Sequence, residues 1–269
     1  MRDILLHLDG GPRSALLCEA ALGLAKRFGA RVTALFARVD SAKPSVLTRQ
    51  ASSYLLESAD HDRALFTELA ERAGVEARWW QLDHGDAERL LASVRLASRY
   101  ADLVVVGQPD GEERSPPNLV EQIVREAGRP VLVLPRVGEF PTLGDRIVVA
   151  WNASREATRA IHDTLPLMTG AQTVSLLTIH GKGGHTDKPV DGPPVDMVEH
   201  LRRWGVNASE EHLVRDNIRD MDLLLSQACD LGADLMIMGA ISHVRLRQFR
   251  SSGARFILEH MTLPTVLSH

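Results

Sequence analysis

"YADLVVVGQ", residues 100–108, returns as "GADLMIMGA" at residues 232–240. Each is an Ala-Asp pair, a short run of aliphatic residues, and a glycine. Two further pairs keep the same order. "DILLHLDGGPRSA" near the start is answered by "RIVVAWNASREAT" from residue 146, and "GRPVLVLP" (128–135) by "TLPTVLSH" (262–269). The offset is about half the chain, so the repeat is a whole domain used twice and not a solenoid of short units. "RVGEFPTLGD" (136–145), with two glycines and a proline, marks the boundary. The expected domains are residues 1–138 and 145–269.

Within each half, strands alternate with helices. Strands are predicted near 3–8, 31–37, 76–82, 102–107 and 130–135, then near 146–151, 173–179, 208–214, 234–239 and 264–268. Short runs of Val, Leu and Ile with little polar alternation indicate strands buried on both faces. Residues 14–28 place Leu17, Ala21, Leu24 and Phe28 on one helical stripe. Asp86 is a predicted N-cap for the helix that follows it. Alternation of this kind requires right-handed crossovers and a parallel sheet. The fold class is therefore α/β: two doubly wound parallel-sheet domains of five strands each, expected to pair as an intramolecular pseudo-dimer that covers the last strand of each half.

Composition excludes several function classes. The net charge of -4 gives no global basic field for nucleic acid or anionic lipid. No apolar run approaches the ~20 residues that span a bilayer. Asp3, His7 and Asp9 interrupt the first apolar run, so no signal peptide is expected and a cytoplasmic location follows. Cys18 and Cys229 sit in helical apolar patterns and read as buried small hydrophobes. The glycine- and proline-rich stretch 180–196 is a long loop. His180 and His185 lie in it five residues apart, but no cysteine or carboxylate cluster completes a metal site there. No G-x-S-x-G elbow, P-loop or H-E-x-x-H motif appears, so no catalytic residue is assigned.

The remaining question is the loop "GAISHVRLRQFRSSGA" (239–254), which leaves a strand at a glycine and reaches small residues before a helix. That is the layout of a phosphate cradle, in which backbone amides and a helix N-terminus face the anion. Arg245, Arg247 and Arg250 could neutralise phosphates or form a solvated face.

Together, "HLDGG", "VAWNASREATRAI", "HGDAERLL", "ADLMIMGAISHVRLRQF" and "HMTLPTVLSH" resemble the universal stress protein family in its tandem two-domain, Rossmann-like form. The resemblance covers nearly the whole chain. It implies a stress-response protein that binds ATP or another adenine nucleotide. Nucleotide-binding members carry G-x-x-G, nine residues, then Gly and Ser or Thr, with an aspartate ending the first strand. The second half keeps Gly239, replaces the next glycine by Ser242 (followed by His243), and after nine residues has Ser252 then Gly253, an apparent exchange of order preceded by Ser251. Asn152 stands in place of the aspartate. The resemblance thus places a modified nucleotide site on Asn152, Gly239, Ser242, His243, Ser251, Ser252 and Gly253. The first half keeps Asp9 and Gly107, but Gly111 is out of register and Pro116 and Pro117 lack the amide protons a cradle needs. It is expected to be a degenerate site.

Plainer readings stand beside these. Asp9 reads equally as a carboxylate capping the next helix, Gly239 as a tight strand exit, and the small residues at 251–253 as a helix N-cap. The alternative function is a scaffold or signalling module that binds no nucleotide and acts through protein partners. A slow ATPase is the weakest reading. A homodimer is left open, and no nucleic-acid or membrane partner is expected.

Overall fold

The computed structural model describes residues 1–40, 52–180, 196–216, 218–240 and 253–269. It divides into two compact units, Met1–Glu139 and Phe140–His269.

The first unit runs β1 (Asp3–Leu8), α1 (Ser14–Phe28), β2 (Arg31–Phe36), α2 (Ser53–Ala73), β3 (Ala77–Gln81), α3 (Ala87–Ser98), β4 (Leu103–Gly107), α4 (Leu119–Glu126) and β5 (Val131–Leu134). Its strands lie in the order β3-β2-β1-β4-β5. Every pairing is parallel, with Leu6 beside Ala34 on one side and beside Val105 on the other. The chain moves outward from β1 through β2 to β3, then returns to lay β4 on the opposite side of β1. Ligands of open α/β sheets bind at such a switch point, outside the carboxyl ends of the strands.

The second unit repeats the plan with β6 (Arg146–Ala150), α5 (Arg155–Asp163), α6 (Leu165–Met168), β7 (Thr173–His180), α7 (Met197–Arg203), β8 (Ala208–Val214), α8 (Asp220–Asp230), β9 (Leu235–Gly239), α9 (Gly253–His260) and β10 (Thr265–Ser268). Its order is β10-β9-β6-β7-β8, all parallel, so the switch point falls between β6 and β9.

The repeated Ala-Asp pair has a local explanation. Asp102, just ahead of β4, accepts the Arg2 and Asp3 amides at 2.5 and 3.2 Å. Asp234, just ahead of β9, accepts the Gly144, Asp145 and Arg146 amides at 3.1, 3.1 and 3.0 Å. Each carboxylate ties the entry of a unit's first strand to the strand beside it. Charged acceptors make the stronger class of hydrogen bond. Burial pulls the Asp102 carboxyl up, but the two amides, with the charges of the N-terminus and Arg129, outweigh it and hold it below the usual carboxylate range.

The helix spanning 14–28 ends on Gly29 in the left-handed region at φ 60, the usual glycine C-cap. Asp86 caps α3 by accepting the Arg89 amide at 2.8 Å. Two expectations need correction. The strands at 76–82 and 208–214 are not buried on both faces: β3 and β8 each stand at one end of their unit's strand order, and both alternate with exposed positions. Trp79 of β3 packs against Phe36 and Phe66, whereas Trp80 on the other face is 42% exposed. Cys229 is exposed, because Leu224 and Ala228 take the buried face of α8; Cys18 is buried.

Candidate functional site

In the first unit the residues after β1 turn tightly across the switch point. Gly10 has φ 69, and a Cβ there would lie 2.0 Å from Ser58 Oγ. Only glycine fits a turn that is both left-handed and that close to α2. Its amide donates to Asp62 Oδ2 at 3.1 Å, and the Ser14 hydroxyl donates to the same oxygen at 2.9 Å. Asp62 therefore reaches from α2 to hold the start of α1. It is 1% exposed, and its other oxygen has no hydrogen-bond partner among the described residues. Burial raises its carboxyl pKa, against the lowering effect of the Ser14 and Gly10 bonds.

Asp9 is occupied by its own unit. Oδ1 accepts the Gly11 amide at 3.0 Å, and Oδ2 accepts the Ser115 hydroxyl at 3.0 Å. Arg114 stands 4.0 Å from Oδ1 and also pairs with Asp110. The segment after β4 thus folds back over the end of β1, with Pro116 buried behind it. Arg38 closes the other side. It donates to the Asp9 carbonyl at 3.2 Å and to Ser58 Oγ at 3.3 Å, and lies 4.7 Å from the Tyr54 ring. Neither Asp9 nor any other side chain caps α1; Asp62 instead holds the Ser14 hydroxyl at its start. Gly107, at the end of β4, has ordinary space around it, with Leu17 nearest at 3.6 Å from an added Cβ.

The second unit uses the same turn with different chemistry. Asn152 Oδ1 accepts the Ser154 amide at 3.1 Å, the counterpart of the Asp9 to Gly11 bond. Ala153 takes the position of Gly10 and is left-handed at φ 55, uncommon for a residue with a Cβ. Ser154 caps α5 by accepting the Ala157 amide at 3.2 Å. Asn152 itself is exposed. Gly239 ends β9 beside β6, with Ala150 in register with Met238. A Cβ at Gly239 would lie 2.6 Å from the Glu156 carbonyl carbon and 2.7 Å from the Ala157 nitrogen. The first turn of α5 therefore accounts for this glycine by packing alone. Gly253 opens α9. Ser242, His243, Ser251 and Ser252 lie outside the described residues, as does His185. The structure thus brings Asn152 and Gly239 to the ends of adjacent strands. Among the described residues no group of three or more His, Cys, Asp or Glu side chains gathers to hold a metal ion.

The sequence profile of the universal stress protein family matches residues 1–135. The chain belongs to the universal stress protein family. Solved universal stress proteins share its architecture. One from Archaeoglobus fulgidus DSM 4304 is 16% identical with a TM-score of 0.73, over 99% of this chain and 95% of that one. A putative universal stress protein from Pseudomonas aeruginosa UCBPP-PA14 is 15% identical with a TM-score of 0.62, over 100% of this chain and 93% of that one. A universal stress protein from Archaeoglobus fulgidus in complex with dAMP is 14% identical with a TM-score of 0.37, over 49% of this chain and 97% of that one. No curated protein matches the chain. Among the described residues no helix is long and apolar enough to cross a membrane.

Sequence reasoning about this universal stress protein missed Asp62. The signal was present: Leu55, Ala59, Asp62, Phe66 and Ala70 form one buried helical stripe, and Asp62 is its one charged member. A carboxylate on an apolar stripe must find donors or shift its pKa.

Proposed function

We propose that this universal stress protein binds an adenine nucleotide, such as ATP, at the switch point of its second unit. Asn152 faces the base or ribose there, and the end of β9 at Gly239 and the start of α9 at Gly253 flank the phosphates. One contrast carries the reading. In the first unit both Asp9 oxygens accept from the protein itself, one from the Gly11 amide and one from the Ser115 hydroxyl. In the second unit the corresponding Asn152 is exposed, and among the described residues its side-chain oxygen accepts from its own turn alone. Its amide group can then serve a ligand as donor.

Calorimetric titration of the whole chain with ATP tests this at one salt concentration. Asn152→Ala is expected to weaken binding about tenfold, the loss of roughly 1.4 kcal/mol. Asp9→Ala is expected to leave the affinity unchanged. Absence of ATP binding by the unaltered protein would instead support the scaffold reading, in which the chain acts through protein partners.

A further inference from the structure

Two histidines meet on the outer strands of the second unit. His180 ends β7 and His212 lies on β8, where the parallel register sets Thr178 opposite His212 and His180 opposite Val214. Residues two apart share a face of a strand, so His180 and His212 are diagonal neighbours on one side of the sheet. His180 Nε2 lies 2.8 Å from His212 Nδ1. The His212 side chain is 55% exposed, so the pair is open to solvent.

A third group stands near the pair, beyond hydrogen-bond distance. Glu210, two residues before His212 on the same face, brings Oε2 to 3.9 Å from His212 Nε2. The carboxylate is steadied by the Thr178 hydroxyl, which donates to Oε1 at 2.9 Å. A carboxylate beside Nε2 favours the tautomer protonated there, and leaves a lone pair on Nδ1. His180 then donates its Nε2 proton to that lone pair. A carboxylate behind a histidine whose other nitrogen is free is the arrangement that orients imidazole ligands of metals.

We propose that His180 and His212 form a two-nitrogen site for a late first-row divalent transition-metal ion, with Glu210 positioning His212 from behind. Two nitrogens ~2.0–2.1 Å from one ion and at right angles to each other stand ~2.8–3.0 Å apart, close to the separation found here. That spacing suits adjacent positions of a square-planar or tetragonal ion such as Cu(II) or Ni(II). Water fills the remaining positions. On binding, His180 changes tautomer: Nε2 gives its proton to solvent and Nδ1 takes one from solvent, so the ring stays neutral and its Nε2 lone pair turns to the ion. Imidazole nitrogens do not suit Mg(II), which prefers oxygen ligands.

Titration of the whole chain with Cu(II), followed by calorimetry and by the nitrogen hyperfine pattern of the bound ion, tests the site. The unaltered protein is expected to show a site with two imidazole nitrogens. His180→Ala and His212→Ala are each expected to weaken it at least about tenfold and to reduce the pattern to one nitrogen. Glu210→Gln is expected to weaken binding about tenfold while keeping both nitrogens. His162→Ala removes a histidine from another close pair, whose rings lie 5.4 Å apart, and is expected to change nothing. Both side chains are on the surface, and circular dichroism checks that the variants fold. Unchanged Cu(II) affinity in His180→Ala and His212→Ala, or competition by Mg(II) as strong as by Ni(II), overturns the proposal.

Discussion

His7 shows how one residue ties the fold to pH. It sits on β1, 5% exposed, with Nε2 hydrogen-bonded to the Ala37 carbonyl at 3.0 Å. Burial disfavours the imidazolium and lowers its pKa from 6.5, while Asp9 and the Ala37 bond pull the other way. A base with a lowered folded pKa binds fewer protons when folded than when unfolded. Its stabilising share is complete above the ordinary value and is lost as pH falls below it. Urea unfolding midpoints are therefore expected to drop between about pH 7.5 and about pH 5.5. His7→Gln keeps a donor for Ala37 and removes the titration, so its drop should be smaller. Equal drops in the two proteins would locate the effect elsewhere. Asp62 acts with the opposite sign. Its raised carboxyl pKa favours the folded state at low pH, and that advantage fades as pH rises through the folded value. Cys18 is inert by the same logic: burial first, then Asp62 and Glu19, push its thiol up to about 12.

At the scale of elements, the two strand-end glycines separate cleanly. Gly239 admits the first turn of α5, and an added Cβ would meet the Glu156 and Ala157 backbone at 2.6 and 2.7 Å. Backbone cannot swing aside as a side-chain tip can, so β9 or α5 must shift. Gly239→Ala is expected to destabilise the protein by about 1–3 kcal/mol. Gly107 meets only Leu17, at 3.6 Å, and its φ is not positive. Gly107→Ala should stay within about 1 kcal/mol of the unaltered protein, or gain slightly from reduced chain entropy. Chemical denaturation of both variants measures the difference, and equal losses would refute this account. Element boundaries were largely legible beforehand, because α1 and the inner strands follow apolar periodicity and glycine stops. The exposure of β3 and β8 was less so. "ARWWQ" and "ASEEHLV" carry polar residues, and the structure leaves most of those positions exposed.

Across the molecule, the repeat makes two units with one strand order and two different switch points. A nucleotide at 100 times its dissociation constant should stabilise the protein by about 2.7 kcal/mol. If the second unit holds it, hydrogen exchange should slow in the β6–α5 turn and at the end of β9, and stay unchanged in the β1–α1 turn. Protection confined to the first unit would reverse the assignment.

The sequence by itself determined that the chain is a doubled α/β protein of parallel strands. It did so because burial of a strand or a helix stripe is written in local apolar spacing, and a repeat is visible without any coordinates. It also marked Asp9, Asn152 and Gly239 as strand-end positions. What each of them touches was decided only by tertiary structure. Ser115 reaches Asp9 across 106 positions, Asp62 reaches Ser14 across 48, and His180 reaches His212 across 32. A polar group's partner depends on which elements the crossovers set side by side, and local periodicity carries no record of that.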